Sequence, residues 1–337
     1  MHAPVLLEGL PACPQMVEAP SPRTKEHCGP EALGLTAGVD VLKGGDDVDV
    51  IIGLACPECS PATTTINVRN GSCSSRSEQA RSLAIQRLGD LRVALVDKSG
   101  EYRVETYPSG RSVRINVDGT RGPYSLGIAG NISFVIGRDA IWVDDGSAAW
   151  PKITTGRPLG DARPLYFAAT ASDVYIRSAS RELALDKVAL ADGSVTTVQL
   201  CRAGLLCAAP RGERTTQRVL SVVIDQQHPG CVLATTLVEQ DRGRTRQSLG
   251  WRACGNNAQP IFEALLDDGT SEEIRAVRST HQRIYFASRE HTYAVDGPLV
   301  HVMNNDWRCA CNIAFATPGP GLVVLQSFWE LEILASE

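Results

Sequence analysis

Eleven cysteines and six histidines are the residues of this 337-residue chain best suited to chemistry, and their spacing sorts them. Cys56-Pro57-Glu58-Cys59 and Cys309-Ala310-Cys311 have the short spacing of thiolate ligands, and together would complete a four-thiolate zinc site. A strand-like run, Val48–Leu54, precedes Cys56, which is also how a thioredoxin-type redox pair begins. The segment after Cys59, SPATTTINV, is a poor helix, so the field that activates such a thiol is missing. The favoured expectation for these four and Cys73 is structural: disulfides tying the N-terminal region to the end of the chain. Cys13 and Cys28 would tie down an extended arm. Cys201 and Cys207 enclose CRAGLLC, a loop so short that bridging it contributes only about 2 kcal/mol. Cys231 and Cys254 carry the sharpest inference. Their numbers sum to 485, as do those of Arg242 and Gly243, so a hairpin turning there sets the two cysteines opposite each other at bridging distance. An odd total leaves at least one thiol free or bonded outside the chain.

The other reactive side chains form weaker patterns. His281, His291 and His301 are evenly spaced around one hairpin, but lack the short spacing of ligands on one strand, and are expected on the surface or in loops. No metal site and no cofactor is expected. Asp46-Asp47-x-Asp49 is the one acidic cluster resembling an ion loop; Asp144-Asp145 and Asp267-Asp268, each followed by Gly, read as turns. The nucleophile elbow, the phosphate-cradling loop and the zinc-protease helix motif are all absent. Asn70-Gly-Ser72 and Asn131-Ile-Ser133 match the glycosylation sequon. Arg242, Arg244 and Arg246 crowd a hairpin tip beside Glu239 and Asp241, as in a solvated turn. Asn304-Asn305-Asp306-Trp307-Arg308 combines an indole, amides and a guanidinium, a set suited to a carbohydrate or peptide, although a Trp packed between sheets is the plainer expectation.

The elements that must hold these residues are mostly strands. Ser77–Leu88 reads as a helix, with a Ser75…Glu78 start, apolar residues at 80, 83, 84 and 88, and Gly89 as its cap. After Gly89, short runs rich in Val, Ile, Tyr and Leu alternate with turn dipeptides. Asp-Gly occurs at 118–119, 145–146, 192–193, 268–269 and 296–297, where hairpin turns require positive φ. The strands also repeat. VYIRSASRELALD (Val174–Asp186) and IYFASREHTYAVD (Ile284–Asp296) align without a gap, matching Tyr175/Tyr285, Ser178/Ser288, Ala184/Ala294 and Asp186/Asp296. SFVIGRDAIWVD (Ser133–Asp144) is a third copy, one residue shorter. Each reads as strand, turn, strand, ending in an Asp able to bond the next turn's amides. Intervals of 41 and 110 residues between copies fit units of about 40–55 residues, the size of a propeller blade.

This repeat resembles the core of quinoprotein-like (PQQ-type) propeller blades. The resemblance implies a β-propeller. The family's Thr-Gly and docking Trp do not follow Asp186 or Asp296, and no vicinal cysteine pair is present, so it implies no quinone cofactor.

The expectation is an all-β chain: an irregular N-terminal arm over residues 1–38, then a six- or seven-bladed β-propeller over 39–337, with one short helix. A net charge of −5 excludes a chain built to coat nucleic acid, and no apolar run spans a membrane. Many cysteines against three methionines point to an oxidising compartment: secreted, periplasmic or cell surface. Met1–Cys13 has no Lys or Arg and holds Glu8 in its one apolar run, so it reads as a mature start rather than a leader. The expected function is a non-catalytic scaffold binding another protein, a surface polymer or a second copy of itself. The alternatives are a glycan-acting hydrolase or lyase with carboxylates at the propeller mouth, and a subunit of a cell-surface assembly.

Overall fold

The computed structural model describes the backbone of strands along the whole chain, and side chains over 132–144, 150–159, 166–178, 182–202, 205, 215–240, 245–288, 291–300 and 302. β1 (Val5–Leu6) comes first in the chain. β2 (Thr36–Val41), β3 (Asp47–Leu54), β4 (Ala62–Asn67) and β5 (Cys73–Ser77) form a first sheet. A second holds β6 (Arg81–Leu88), β7 (Asp90–Val96), β8 (Tyr102–Tyr107) and β9 (Arg111–Arg114). The third is β10 (Ser125–Ala129), β11 (Ile132–Ile136), β12 (Ala140–Val143) and β13 (Lys152–Thr154). The fourth is β14 (Phe167–Ala169), β15 (Asp173–Arg177), β16 (Ala184–Ala189) and β17 (Val195–Gln199). The fifth comprises β18 (Thr216–Ile224), β19 (Cys231–Gln240), β20 (Thr245–Cys254) and β21 (Asn257–Phe262). The sixth comprises β22 (Ala276–Ser279), β23 (Ile284–Ala287), β24 (His291–Asp296) and β25 (Leu299–Asn304), with β1 added parallel to β25. β26 (Ala314–Gly319), β27 (Leu322–Gln326) and β28 (Leu331–Ala335) make a three-stranded seventh. Within each sheet, chain-order strands pair antiparallel. The first strand of each sheet lies beside the first strand of the next, from β2 through β6, β10, β14, β18 and β22 to β26, and β26 lies against β2. The described sheets are thus arranged around a ring.

Period-2 side chains explain why the sheets stack. On β15, Val174 and Ile176 join Phe134, Ile136 and Ile141 of the third sheet, while Tyr175 between them joins Val219, Val232 and Trp251 of the fifth. The fifth and sixth sheets share Leu233, Phe262, Ile284 and Phe286, with the two Phe rings stacked at 4.5 Å. The inner strands β11, β15, β19 and β23 are buried on both faces, so they read as apolar runs rather than alternations. The close approach demands Gly250: a Cβ there would overlap the Phe286 ring.

Two expectations need correction. The described residues of Ser77–Leu88 are not helical: Ser77 ends β5, and Arg81–Leu88 is strand β6. Leu88 pairs with Asp90 where β6 meets β7, and a register shift between Ser82 and Ala84 accommodates the helix-like apolar spacing. Pairing along β7 outweighs local helix propensity. The gapless repeat also fails in its second half. Ser178 N–H donates to Ala184 O but Ser288 N–H to His291 O, so the fourth-sheet turn is three residues longer. Ile176 therefore faces Asp186, whereas its counterpart Phe286 faces Tyr293. Phe134, Tyr175 and Tyr285 do occupy one buried site in the three copies, but Asp186 and Asp296 do not correspond. Instead of bonding turn amides, Asp186 accepts from Arg157 Nη2 (3.0 Å) and Thr197 Oγ1 (3.4 Å), and Asp296 pairs with Arg283 at 3.6 Å.

Candidate functional site

The described histidines do not converge as a triad. His281 lies exposed in the β22–β23 turn, with Nδ1 3.1 Å from Gln226 O, and His291 lies at the other end of the sheet, beside the β23–β24 turn. His301 faces Ala294 along β25. Among the described residues no group of three His, Cys, Asp or Glu is placed to hold a metal.

His291 instead belongs to a cluster that the sequence reading missed. The segment from β21 to β22 folds into a small hairpin: Glu272 N–H donates to Ala264 O, Leu266 N–H to Thr270 O, and Gly269 N–H to Leu266 O. Asp268 Oδ1 accepts from Thr270 Oγ1 (2.7 Å) and Thr270 N–H (2.9 Å), and these bonds hold its carboxyl below the usual range. Gly269 has φ +79°, as the Asp-Gly turn required, and Gly193 and Gly297 likewise have positive φ. The hairpin returns the chain at Glu272, whose carboxylate is buried against the start of β24. That carboxylate accepts from the Ser288 and Tyr293 hydroxyls, and both its oxygens lie 3.1 Å from His291 Nδ1. Ser288 Oγ in turn accepts His291 N–H at 2.9 Å.

A carboxylate that accepts Nδ1–H fixes the imidazole's tautomer and ring plane, leaving Nε2 as an acceptor. The imidazole side chain is 30% exposed, so Nε2 belongs to a group that solvent reaches. The arrangement can bind a donor or take up a proton. Its partners are 19 residues apart across a loop, and no local spacing in the sequence announces them.

Two further sites of charge are structural. Asp225, fully buried, pairs with Arg252 Nε at 2.6 Å and accepts Gln227 N–H at 2.9 Å. Arg246 Nε lies 3.2 Å from Glu239 Oε1 across the β19–β20 hairpin, whose tip carries Arg242 and Arg244 outside the described residues.

The Cys231–Cys254 bridge is present, S–S 2.04 Å and Cα–Cα 4.3 Å, in an unbroken register from Cys231↔Cys254 to Gln240↔Thr245. Cys201 is also disulfide-bonded, and its partner lies outside the described residues, as does the expected mate Cys207. Side chains of Cys13, Cys28, Cys56, Cys59, Cys73, Cys309 and Cys311, and those of the Asn304–Arg308 segment and the Asp46–Asp49 cluster, are outside them too. The backbone register sets Asn304 opposite His291, so that segment leaves β25 at the end of the sheet where the Glu272 cluster lies.

No family model and no curated relative matches the chain. Solved structures do. A catalytically inactive virginiamycin B lyase from Staphylococcus aureus with quinupristin is similar at TM-score 0.55 and 8% identity, over 96% of this chain and 98% of that one. A selenomethionine form of that lyase gives 0.52 and 9%, over 89% and 95%. The extracellular domain of the putative one-component system BT4673 from B. thetaiotaomicron gives 0.54 and 10%, over 95% of this chain and 39% of that one. At such identities the likeness is one of fold, and with the ring of antiparallel sheets it makes the architecture a β-propeller.

Proposed function

We propose that this chain is an exported, seven-bladed β-propeller that binds another protein or a surface polymer through the loops joining one blade to the next. The observation that carries it is the Glu263–Glu272 hairpin. Leu265 and Leu266 are 66% and 40% exposed beside its Asp267–Asp268 turn. Leucines exposed on a hydrogen-bonded projection leave apolar area for a partner to bury. Export rests on the Cys231–Cys254 bridge and bonded Cys201, which favour an oxidising compartment, and on likeness to an extracellular domain. No helix among the described residues is long and apolar enough to cross a membrane. The test is a photo-crosslinking residue at Leu266, irradiated in the protein's native setting. One dominant adduct, lost when Leu265→Asp and Leu266→Asp are combined, is the expected result; adducts spread evenly over many species overturn the reading.

The Glu272–His291 pair favours a second reading, proton transfer on a glycan. Turnover of a polysaccharide that His291→Gln abolishes, with the Leu266 adduct unchanged, would establish it.

A further inference from the structure

The hydrogen bonds of the Glu263–Glu272 hairpin leave one of its edges open. Glu272 N–H donates to Ala264 O and Leu266 N–H to Thr270 O, on either side of the isolated bridge Leu265↔Ser271. In that antiparallel pattern the two bridged residues turn their own backbone groups away from each other. Ser271 directs its N–H inward, to Arg246 O of β20 at 3.0 Å. Leu265 N–H and C=O therefore face outward, and among the described residues they meet no partner. The Leu265 side chain is 66% exposed on the same edge. Glu263, two residues earlier, is also exposed and lies on the Leu265 face, since its carboxylate accepts the Ser271 hydroxyl. Asp267 and Asp268 stand exposed at the turn that follows. The edge thus offers an unpaired N–H and C=O beside an apolar side chain, with carboxylates before and after it.

An open edge pairs with an extended chain through main-chain bonds, and the flanking side chains select which chain. We propose that this edge takes an extended segment of a partner protein as an added antiparallel strand, with an apolar residue opposite Leu265 and a Lys or Arg opposite Glu263. The added strand rests on the hairpin being the docking element, and gives the partner its chemistry. The residue opposite Leu265 exchanges both main-chain bonds with it. Cross-strand attraction to Glu263 favours a basic residue, and the carboxylates on both sides repel an acidic strand.

The test titrates full-length protein into a labelled, capped heptapeptide in which Lys, Val and Lys alternate with Thr, and reads fluorescence anisotropy. The expected result is saturable binding, about ten-fold weaker when both Lys are Glu and about ten-fold weaker when the Val nitrogen is methylated. Glu263→Lys should invert the order of the Lys and Glu peptides. Hydrogen exchange at the Leu265 amide should slow when the Lys peptide is bound. No binding, equal affinity for the N-methylated peptide, or equal affinity for the Lys and Glu peptides would overturn strand addition. The Leu266 adduct separates the two readings: a dominant adduct beside a peptide that does not bind keeps the docking and removes the strand.

Discussion

Tyr175 shows how one buried residue can serve the repeat and carry a pH signature. Its ring fills the space between the fourth and fifth sheets, and its hydroxyl lies 3.4 Å from Gly255 O at the turn after β20. Burial, reinforced by the Asp173 carboxylate, raises the phenol above its ordinary value of 10.0. The folded chain therefore keeps a proton that the unfolded chain sheds above about pH 10, and this share of stability, complete below that pH, is lost as pH rises through the folded value. Tyr175→Phe should cost about 0.5–1.5 kcal/mol near neutrality, for one long hydrogen bond. Its urea midpoint should fall less steeply than that of wild type between about pH 9 and pH 11. Equal slopes for both proteins would remove Tyr175 from the alkaline response.

At the scale of elements, the β19–β20 hairpin and the Ser77–Leu88 segment show what sequence can and cannot disclose. The Cys231–Cys254 bridge was legible because a hairpin with an unbroken ladder has one register, and arithmetic on residue numbers finds it. Tyr175/Tyr285 was legible because a first strand and its turn entry keep constant spacing. The second strand was not, since a three-residue difference in turn length is invisible when the flanking residues happen to match. The helix over Ser77–Leu88 was misread because cross-strand pairing with β7 overrides the apolar spacing that, taken alone, suits a helix. The Glu272–His291 pair was hidden because its members meet only after two hairpins have formed. The bridge itself closes a separation of 23 residues, worth about 3 kcal/mol in the chain-entropy account. Replacing both cysteines, Cys231→Ser with Cys254→Ser, should lower unfolding free energy by about 2–4 kcal/mol in urea titrations. A loss below about 0.5 kcal/mol would mean that the ladder alone restricts this segment in the unfolded chain.

For the whole molecule, stability belongs to the interfaces between sheets more than to any sheet. Each of the three described cores is shared: one by the third and fourth sheets, one by the fourth and fifth, one by the fifth and sixth. A four-stranded sheet here has two apolar faces and cannot bury either alone, so it depends on a neighbour on each side. An open stack would leave two end faces in water; the contact of β26 with β2 removes both ends at once. The seventh sheet holds three strands, fewer than the rest, yet it touches both β22 and β2. Deleting residues 314–337 should therefore do more than subtract one sheet. It exposes a face of the first sheet and a face of the sixth, and shared cores couple that loss around the ring. The expected outcome is a truncated chain without the single sharp thermal transition of the full protein, and with dye-accessible apolar surface. A truncated chain that unfolds in one transition at the full protein's Tm would show that the described sheets form an open stack and that β26 does not close them.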